Sequence, residues 1–284
     1  MRALHDLLDL LWPRLCLACE TLIRATGAAG IAAPPLGLCP PCHGRLVAID
    51  PAASCATCAR PLAVATGPAR QRCGHCLAEP PEYDRLTALW RYETPLKEVV
   101  HAFKFGRLDY LGAHLARALA QTLGERRREA ADWRPPGLRD LPELPDLPEL
   151  IIPLPLPWPR RLARGFNQTE LLAWPLAREL DRPCRRALAR RFFARRQTGQ
   201  TRTGRVRAAH FLVRDRRAIA GRSILLIDDV VTTGATVRAA SAVLRRAGAS
   251  RIEVAVVGWT PPQLSLESGL GAAWGGPSQR LTVP

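Results

Sequence analysis

The sequence predicts an α/β domain with a parallel sheet flanked by helices, preceded by a small cysteine-rich module. Three observations favour this fold class. Eight of the nine cysteines lie within residues 1–80. Two apolar runs separated by a helical pattern lie between residues 223 and 259, as in a strand–helix–strand unit. Hydrophobic residues make up 47% of the 284 residues, enough for the core of one ordinary domain and a smaller one.

The cysteines near the amino terminus form four C-x2-C pairs, namely Cys16/Cys19, Cys39/Cys42, Cys55/Cys58 and Cys73/Cys76. This spacing lets two thiolates face one tetrahedral ion from a single tight turn, and a redox pair would normally occur only once. We therefore expect a double zinc ribbon with two structural zinc ions in residues 1–80. Three ways of sharing the pairs between two ions stay open, of which sequential pairing is the simplest. His43 and His75 adjoin pairs but are not needed as ligands.

Hydrophobic spacing and helix-stop residues predict the elements of the first half of the chain. Leucines at helical spacing over residues 4–11 predict a short amphipathic helix before Pro13. The following elements are a strand at 86–92, a helix from Pro95 to about Phe105, and a helix over roughly 109–124 that ends at Gly124.

The second half of the chain is predicted to supply most of the sheet. Strands are expected at 150–154, near 209–213, at 223–228 and at 251–259, with one helix ending near Leu180 and another over 234–247 that Gly248 ends. The last two strands and the helix between them form a βαβ unit, which requires a parallel sheet. We place the main domain at 81–260, with a proline-rich insertion at 132–149 in which helix and sheet are forbidden, and a flexible tail at 261–284.

The segment 223–236, SILLIDDVVTTGAT, predicts a ribose-phosphate site. Ligands of parallel sheets bind beyond the carboxyl ends of the strands, where Asp228 and Asp229 follow the apolar run. The helix that begins near Gly234 offers unpaired N–H groups and the positive end of its dipole to a phosphate. The carboxylates would repel that phosphate, but they can accept hydrogen bonds from a neighbouring diol or help to hold Mg²⁺. In the alternative interpretation, Asp229 and the threonines merely cap the helix.

Positive charge is concentrated in one arginine-rich stretch. The net charge is +16, and residues 185–222 hold 13 arginines and one acid, Asp215, which leaves +12 there. Either this stretch binds a polyanion such as nucleic acid or pyrophosphate, or it is solvated surface, and the sequence favours neither interpretation.

No apolar run reaches the ~18 residues of a membrane span, and Asp6 and Asp9 interrupt the first apolar stretch. We therefore expect a cytoplasmic protein without a membrane partner.

The decapeptide IDDVVTTGAT closely resembles the phosphoribosyl pyrophosphate (PRPP) motif of type I phosphoribosyltransferases. The larger arrangement resembles the ComF/GntX family, which are competence-associated proteins with a phosphoribosyltransferase domain. This resemblance spans roughly residues 5–260 and rests also on the C-x2-C pairs, on AFKFGRLDYLG at 102–112 and on PLPLPWPRRLARGFNQTELLA at 153–173. It implies a type I phosphoribosyltransferase-like parallel sheet behind an amino-terminal double zinc ribbon.

The resemblance also implies roles for individual residues. Asp228 and Asp229 would bind the ribose hydroxyls and are the catalytic candidates, while Mg²⁺ would accompany the pyrophosphate of PRPP. For Lys104, a charge placed at a helix end is the alternative explanation. The residues that would wrap the 5-phosphate are Val230, Val231, Thr232, Thr233, Gly234, Ala235 and Thr236, and the candidates for meeting pyrophosphate are Lys104, Arg160, Arg161 and Arg164.

Two functions agree with these patterns. The first is a phosphoribosyltransferase that binds PRPP or ribose 5-phosphate and serves DNA uptake or nucleotide salvage. The alternative is a non-catalytic accessory factor of natural transformation, whose zinc ribbons and Arg-rich face contact single-stranded DNA or DNA-processing proteins. Phe192 and Phe193 are the local candidates for base stacking. The segment 196–211 is shorter than is usual in the family and lacks asparagine, which puts turnover in doubt if it belongs to the acceptor site.

Overall fold

The computed structural model describes residues 14–23, 36–62, 71–106, 108–132, 147–190 and 211–260. Its helices are α1 (Pro40–His43), α2 (Gly74–Ala78), α3 (Leu96–Phe105), α4 (Tyr110–Asp132), α5 (Trp158–Arg164), α6 (Gln168–Glu179) and α7 (Ala235–Arg246). Its strands are β1 (Arg85–Arg91), β2 (Leu150–Pro153), β3 (Leu188–Arg190), β4 (Phe211–Val213), β5 (Ser223–Val231) and β6 (Arg251–Trp259).

The main sheet has four parallel strands in the order β1-β6-β5-β2. The central strands β5 and β6 are buried over most of their length. Their residues are mostly apolar because helices cover both faces of the sheet, as is usual for parallel sheets. Helix α7 connects them and ends before Gly248, which adopts a φ of 98°. The predicted βαβ unit and its parallel sheet are therefore confirmed.

Alternate residues of each strand contribute to two separate cores, one on each face of the sheet. On one face, Ile224 and Leu226 of β5 belong to the core that includes Val237 and Leu244 of α7. On the opposite face, Leu225 belongs to the core formed with α3, α4 and α6. We call these the α7 face and the α4 face. The candidate site lies where β5 ends, so that both faces can reach it.

Irregular segments cover both edges of this sheet. The Ile49 amide donates to the Leu89 carbonyl (2.9 Å), and the Arg91 amide donates to the Val47 carbonyl (2.8 Å), so the chain from 47 to 49 runs beside β1. At the other edge, the Ile151 amide of β2 donates to the Pro183 carbonyl (2.9 Å). Strands β3 and β4 form a separate antiparallel ribbon.

The structure corrects the predicted end of one helix. Helix α4 continues through Gly124 to Asp132, because Gly124 does not take the positive φ of a helix-ending glycine and strong helix formers follow it. Arg127 also supports this last part, since its guanidinium donates to the Leu123 carbonyl (3.1 Å) and pairs with Glu253 (3.0 Å). Four short elements were not predicted from the sequence: α1, α2, α5 within the proline-studded segment, and β3.

Some predictions fall outside the described residues: the helix at 4–11, the interior of the insertion at 133–146, Phe192 and Phe193, most of the segment 196–211, and the tail at 261–284. Within the described ranges, none of the helices has the length and apolar character needed to cross a membrane.

Candidate functional site

The eight amino-terminal cysteines gather into two tetrads, and the pairing is sequential. Within each tetrad all four Sγ atoms lie within 4.8 Å of one another. Neighbouring sulfurs are 3.6 Å apart between Cys19 and Cys39, and 3.7 Å apart between Cys58 and Cys73. A tetrahedral zinc with its usual Zn–S distance needs sulfurs about 3.8 Å apart, so the donor set and spacing fit zinc. The tetrads are Cys16, Cys19, Cys39 and Cys42, and Cys55, Cys58, Cys73 and Cys76.

The two tetrads belong to modules with the same local design. We call residues 14–23 and 36–45 the first module, and residues 53–62 and 71–79 the second. In both, the residue after the second cysteine takes a left-handed φ of 58°, and the third cysteine opens a short helix. The amide of the third cysteine donates to the sulfur of the first, from Cys39 to Cys16 at 3.3 Å and from Cys73 to Cys55 at 3.2 Å.

The modules differ in what they pack against. Cys16, Cys39 and Cys42 are buried in the core of the α4 face together with residues of α3 and α4. The thiols Cys55 and Cys73 of the second module instead form a small cluster of their own. The second module joins the α7 face through Ala59, which belongs to that core.

Asp228 and Asp229 lie near the carboxyl end of β5, directly before the loop that leads into α7. The N-cap of α7 is Gly234, which takes a φ of 77° and offers no side-chain cap. Thr233 accepts a 3.4 Å hydrogen bond from the Ala235 amide, and Thr232 is exposed. Asp229 therefore does not cap the helix, and Thr233 bonds only the amide of its first residue.

Both oxygens of the Asp229 carboxylate are held by side chains from the α4 face. Lys104, near the end of α3, pairs with Asp229 Oδ1 at 2.9 Å. Gln168, the first residue of α6, donates from Nε2 to Asp229 Oδ2 at 2.7 Å. Asp229 is only 5% exposed, and the buried Gln168 Oε1 has no hydrogen-bond partner. Lys104 is thus more than a charge at a helix end, because it neutralises a buried carboxylate of the predicted site.

Asp228 has a different electrostatic environment from its neighbour. Burial among protein atoms and the negative charge of Asp229 raise the pKa of Asp228 to about 7. The hydrogen bond that Asp228 Oδ1 accepts from the Asp229 amide (2.9 Å) and the charges of Lys104 and Arg190 oppose this rise. Asp228 can therefore exchange a proton near neutral pH.

The segment RGFNQT at 164–169 places Gln168 beside Asp229. Gly165 ends α5 with a φ of 78°, and Asn167 caps α6 by accepting from the Thr169 amide (3.3 Å). Asn167 Nδ2 and Thr169 Oγ1 both donate to the Leu154 carbonyl after β2, at 3.3 and 2.6 Å. The segment belongs to the part of the sequence that resembles the family, but the contact of Gln168 was not predicted, because its partner lies 61 residues away.

The three arginine candidates for pyrophosphate lie on α5. Arg164 stacks over the Phe105 ring at 4.6 Å, and burial lowers its pKa although the charge of Asp229 opposes this. Arg160 and Arg161 are exposed. The structure therefore brings Lys104 and Arg164 near Asp229 from different helices.

Two adjoining clefts, of about 240 and 470 Å³, flank α5 and α6. The charged side chains Arg161, Glu170 and Arg186 line both, and Arg186 pairs with Glu170 at 2.6 Å. Trp158 lines the first cleft and Trp174 the second, with exposed fractions of 51% and 41%. We call this surface the tryptophan–arginine groove. It exposes aromatic rings within a positively charged surface.

Comparison with known proteins places the site in a family context. Residues 169–265 match the family model described as phosphoribosyl transferase domain. A protein named DNA utilization protein YhgH from Escherichia coli is 35% identical over 186 residues, which cover 64% of this chain and 75% of that protein. Competence protein F from Haemophilus influenzae is 30% identical over 188 residues, covering 65% and 76%. Among solved structures, a variant of the hypoxanthine phosphoribosyltransferase from Trypanosoma cruzi is 13% identical with a TM-score of 0.33, covering 55% of this chain and 75% of that one.

Proposed function

Because the chain belongs to the ComF/GntX family of phosphoribosyltransferase-domain proteins linked to DNA utilization and competence, we propose that it binds PRPP through residues 228–236 and transfers the phosphoribosyl group. The predicted fold class is confirmed by the domain match, the parallel sheet and the two cysteine tetrads. We further propose that zinc fills both tetrads and that the protein acts in the cytoplasm, where thiols stay reduced.

One observation carries the proposal: two adjacent carboxylates, of which Asp229 is paired with Lys104, lie near the end of a strand, just before the loop that leads into a helix without a side-chain N-cap. Asp228 and Asp229 supply acceptors for a diol, while the amides of the loop from Thr232 to Thr236 supply donors for a phosphate. Lys104 neutralises Asp229, so that a polyanionic ligand is not repelled. Ribose 5-phosphate carries both a diol and a phosphate, the two groups that these halves can bind.

In this proposal, the bond between ribose C1 and the pyrophosphate oxygen breaks and its electron pair leaves with pyrophosphate. A lone pair of the nucleophile forms the new bond at C1. Mg²⁺, when bound with PRPP, offsets charge on the leaving pyrophosphate. Lys104 and Arg164, which both lie near Asp229, stabilise the charge that develops on the leaving pyrophosphate. Asp228 takes up the proton released by the nucleophile, because its pKa is about 7.

Calorimetry with ribose 5-phosphate, and with PRPP and Mg²⁺, tests the binding step. Pyrophosphate release in the presence of a panel of bases tests turnover. We expect Asp229→Asn to abolish release, because it removes the charge that Lys104 and Gln168 hold in place. Asp181→Asn is the matched control, since Asp181 is an exposed carboxylate in a left-handed conformation that asparagine also adopts. No heat with either ligand would refute the proposal.

The tryptophan–arginine groove supports a second candidate function, binding of single-stranded DNA. Bases can stack on Trp158 and Trp174, while Arg161 and Arg178 meet phosphates. This proposal differs from the sequence-based one, which placed stacking at Phe192 and Phe193.

Titration of an unstructured oligonucleotide at several salt concentrations tests this candidate. Trp174→Ala should weaken binding by about 1–3 kcal/mol. Arg178→Gln, at the rim of the same groove, should reduce the slope of log affinity against log salt by about 1. Leu77→Ala, an exposed apolar position in the second module, is the control. Affinity that neither groove variant changes would exclude this surface.

A further inference from the structure

Helix α7 is the place where the second module and the phosphate loop, residues 232–236, meet. The helix begins at Ala235 inside the loop, and the Arg238 amide closes its first turn by donating to the Gly234 carbonyl (2.9 Å). Any contact that fixes Arg238 therefore also constrains the backbone that faces a bound phosphate.

The Arg238 side chain reaches across to the second module. Its Nη2 donates to the Glu79 carbonyl at 2.8 Å and lies 3.2 Å from His75 Nε2. A guanidinium has no acceptor, so a hydrogen bond between these atoms runs from Arg238 to His75 Nε2. His75 stands between Cys73 and Cys76 in α2, and Glu79 follows that helix directly. The folded tetrad thus presents both acceptors to Arg238.

Further contacts along the same helix fix this arrangement. Arg245 donates to the Glu82 carbonyl at 3.1 Å and pairs with Asp84 at 2.8 Å, just beyond the second module. Ala59 of the module and the buried Tyr83 belong to the same core as Val237 in the first turns of α7. Arg238 and the shared core therefore dock α7 on the module, and Arg245 attaches the other end of the helix to the segment that follows the module.

The first module has no such relation to α7 in the described part of the chain. Its buried cysteines belong to the core of the α4 face. The two metal sites therefore differ in their connection to the phosphate loop, although their local designs match.

We infer that the second module positions the phosphate loop through Arg238, so that metal binding at its tetrad and phosphate binding at the loop reinforce each other. The coupling to phosphate rests on the proposed function, whereas the mechanical link between module and loop does not. Because energetic coupling between two sites is reciprocal, each ligand should tighten the other.

Hydrogen exchange tests the mechanical link without any ligand. In the zinc-loaded full-length protein, Arg238→Ala should speed exchange of the amides at 235–238 by roughly three- to tenfold. Arg246→Ala is the control, because Arg246 is an exposed arginine of the same helix. Arg238→Ala should also speed the release of zinc from the second tetrad to a chelator, and it should leave release from the first tetrad unchanged. Cys76→Ser, which removes the second site, identifies the corresponding phase.

Ligand binding tests the coupling. Arg238→Ala should weaken ribose 5-phosphate binding in calorimetry by roughly three- to tenfold, and Arg238→Lys should recover part of the loss by donating to Glu79. Saturating ribose 5-phosphate should slow zinc release from the second tetrad alone. If the wild-type protein binds no ribose 5-phosphate, the proposed function fails and hydrogen exchange still decides the mechanical link. Unchanged exchange and zinc release in Arg238→Ala would overturn the inference even where the ligand binds.

Discussion

The two cysteine modules fold alike, yet they support different halves of the candidate site. The first module packs with α3 and α4, and α3 carries Lys104, which holds Asp229. The second module docks on α7, which carries the phosphate loop. The C-x2-C spacing determines each cysteine tetrad, whereas the surrounding core determines which part of the candidate site that tetrad supports. A repeated motif within one chain therefore does not imply a repeated role.

The strongest test of this difference removes the equivalent cysteine from each module. Cys39→Ser should lower the free energy of unfolding by on the order of 5 kcal/mol, because metal loss there disrupts the core of the α4 face. Cys73→Ser should cause mainly local opening, since its cluster contains only thiols and Leu62. Thermal unfolding and hydrogen exchange, with zinc content measured for each variant, distinguish the two outcomes.

Cys184→Ser is the control for thiol loss, because Cys184 belongs to neither tetrad. Equal losses of thermal stability from Cys39→Ser and Cys73→Ser would contradict the proposed difference between the modules.

A smaller effect is expected where the α4 face meets the site. Lys104→Met should cost about 2–3 kcal/mol at neutral pH, because it leaves the buried Asp229 carboxylate without its cation. Denaturant unfolding measures this loss. In the double variant with Asp229→Asn, most of the loss should be recovered, as expected for two groups in direct contact. A double variant that loses the sum of the two single effects would show that the ion pair contributes nothing.

The smallest effect on stability should come from Asp228, the residue of β5 directly before Asp229. Its pKa is raised from 3.8 to about 7, so the unfolded chain releases this proton near pH 4 and the folded protein only near pH 7. The unfolded state therefore binds fewer protons in this window, and the folded protein loses stability as the pH rises through it. Above about pH 7 the loss is complete.

Asp228→Asn removes this titration and keeps an oxygen for the Asp229 amide. The variant should gain on the order of 2 kcal/mol over the wild type at about pH 8, and much less at about pH 4. Urea unfolding across this range measures the difference, with Asp181→Asn as control. A difference that stays constant with pH would show that Asp228 titrates normally.

Local patterns in the sequence predicted the elements that local physics determines. The βαβ unit follows from two apolar runs and Gly248, and the cysteine clusters follow from the C-x2-C spacing. Sequential pairing of the tetrads stayed open, because spacing alone does not say which turns meet in space. The extension of α4 past Gly124 was missed because a glycine ends a helix only where its neighbours allow a left-handed turn.

The polar contacts of the site were the least predictable part. Asp229 is held by Lys104 and Gln168, which are distant from it in sequence and reach it only after α3 and α6 pack on the same face. Hydrophobic spacing shows which side of a helix is buried, but it does not show which polar side chains of different helices will contact each other. The contacts of Arg238 were unpredictable for the same reason, because its partners His75 and Glu79 lie in the second module, far from it in sequence.

The segment that joins the two modules also covers one edge of the main sheet. It covers the outer edge of β1 with hydrogen bonds at Val47 and Ile49, and the Leu86 amide of β1 donates to the Thr57 carbonyl at 2.7 Å. An uncovered strand edge is a template for pairing with another chain, and it promotes aggregation. A fragment that began at residue 81 would expose this edge along the whole of β1. We therefore expect such a fragment to aggregate more readily than the whole chain.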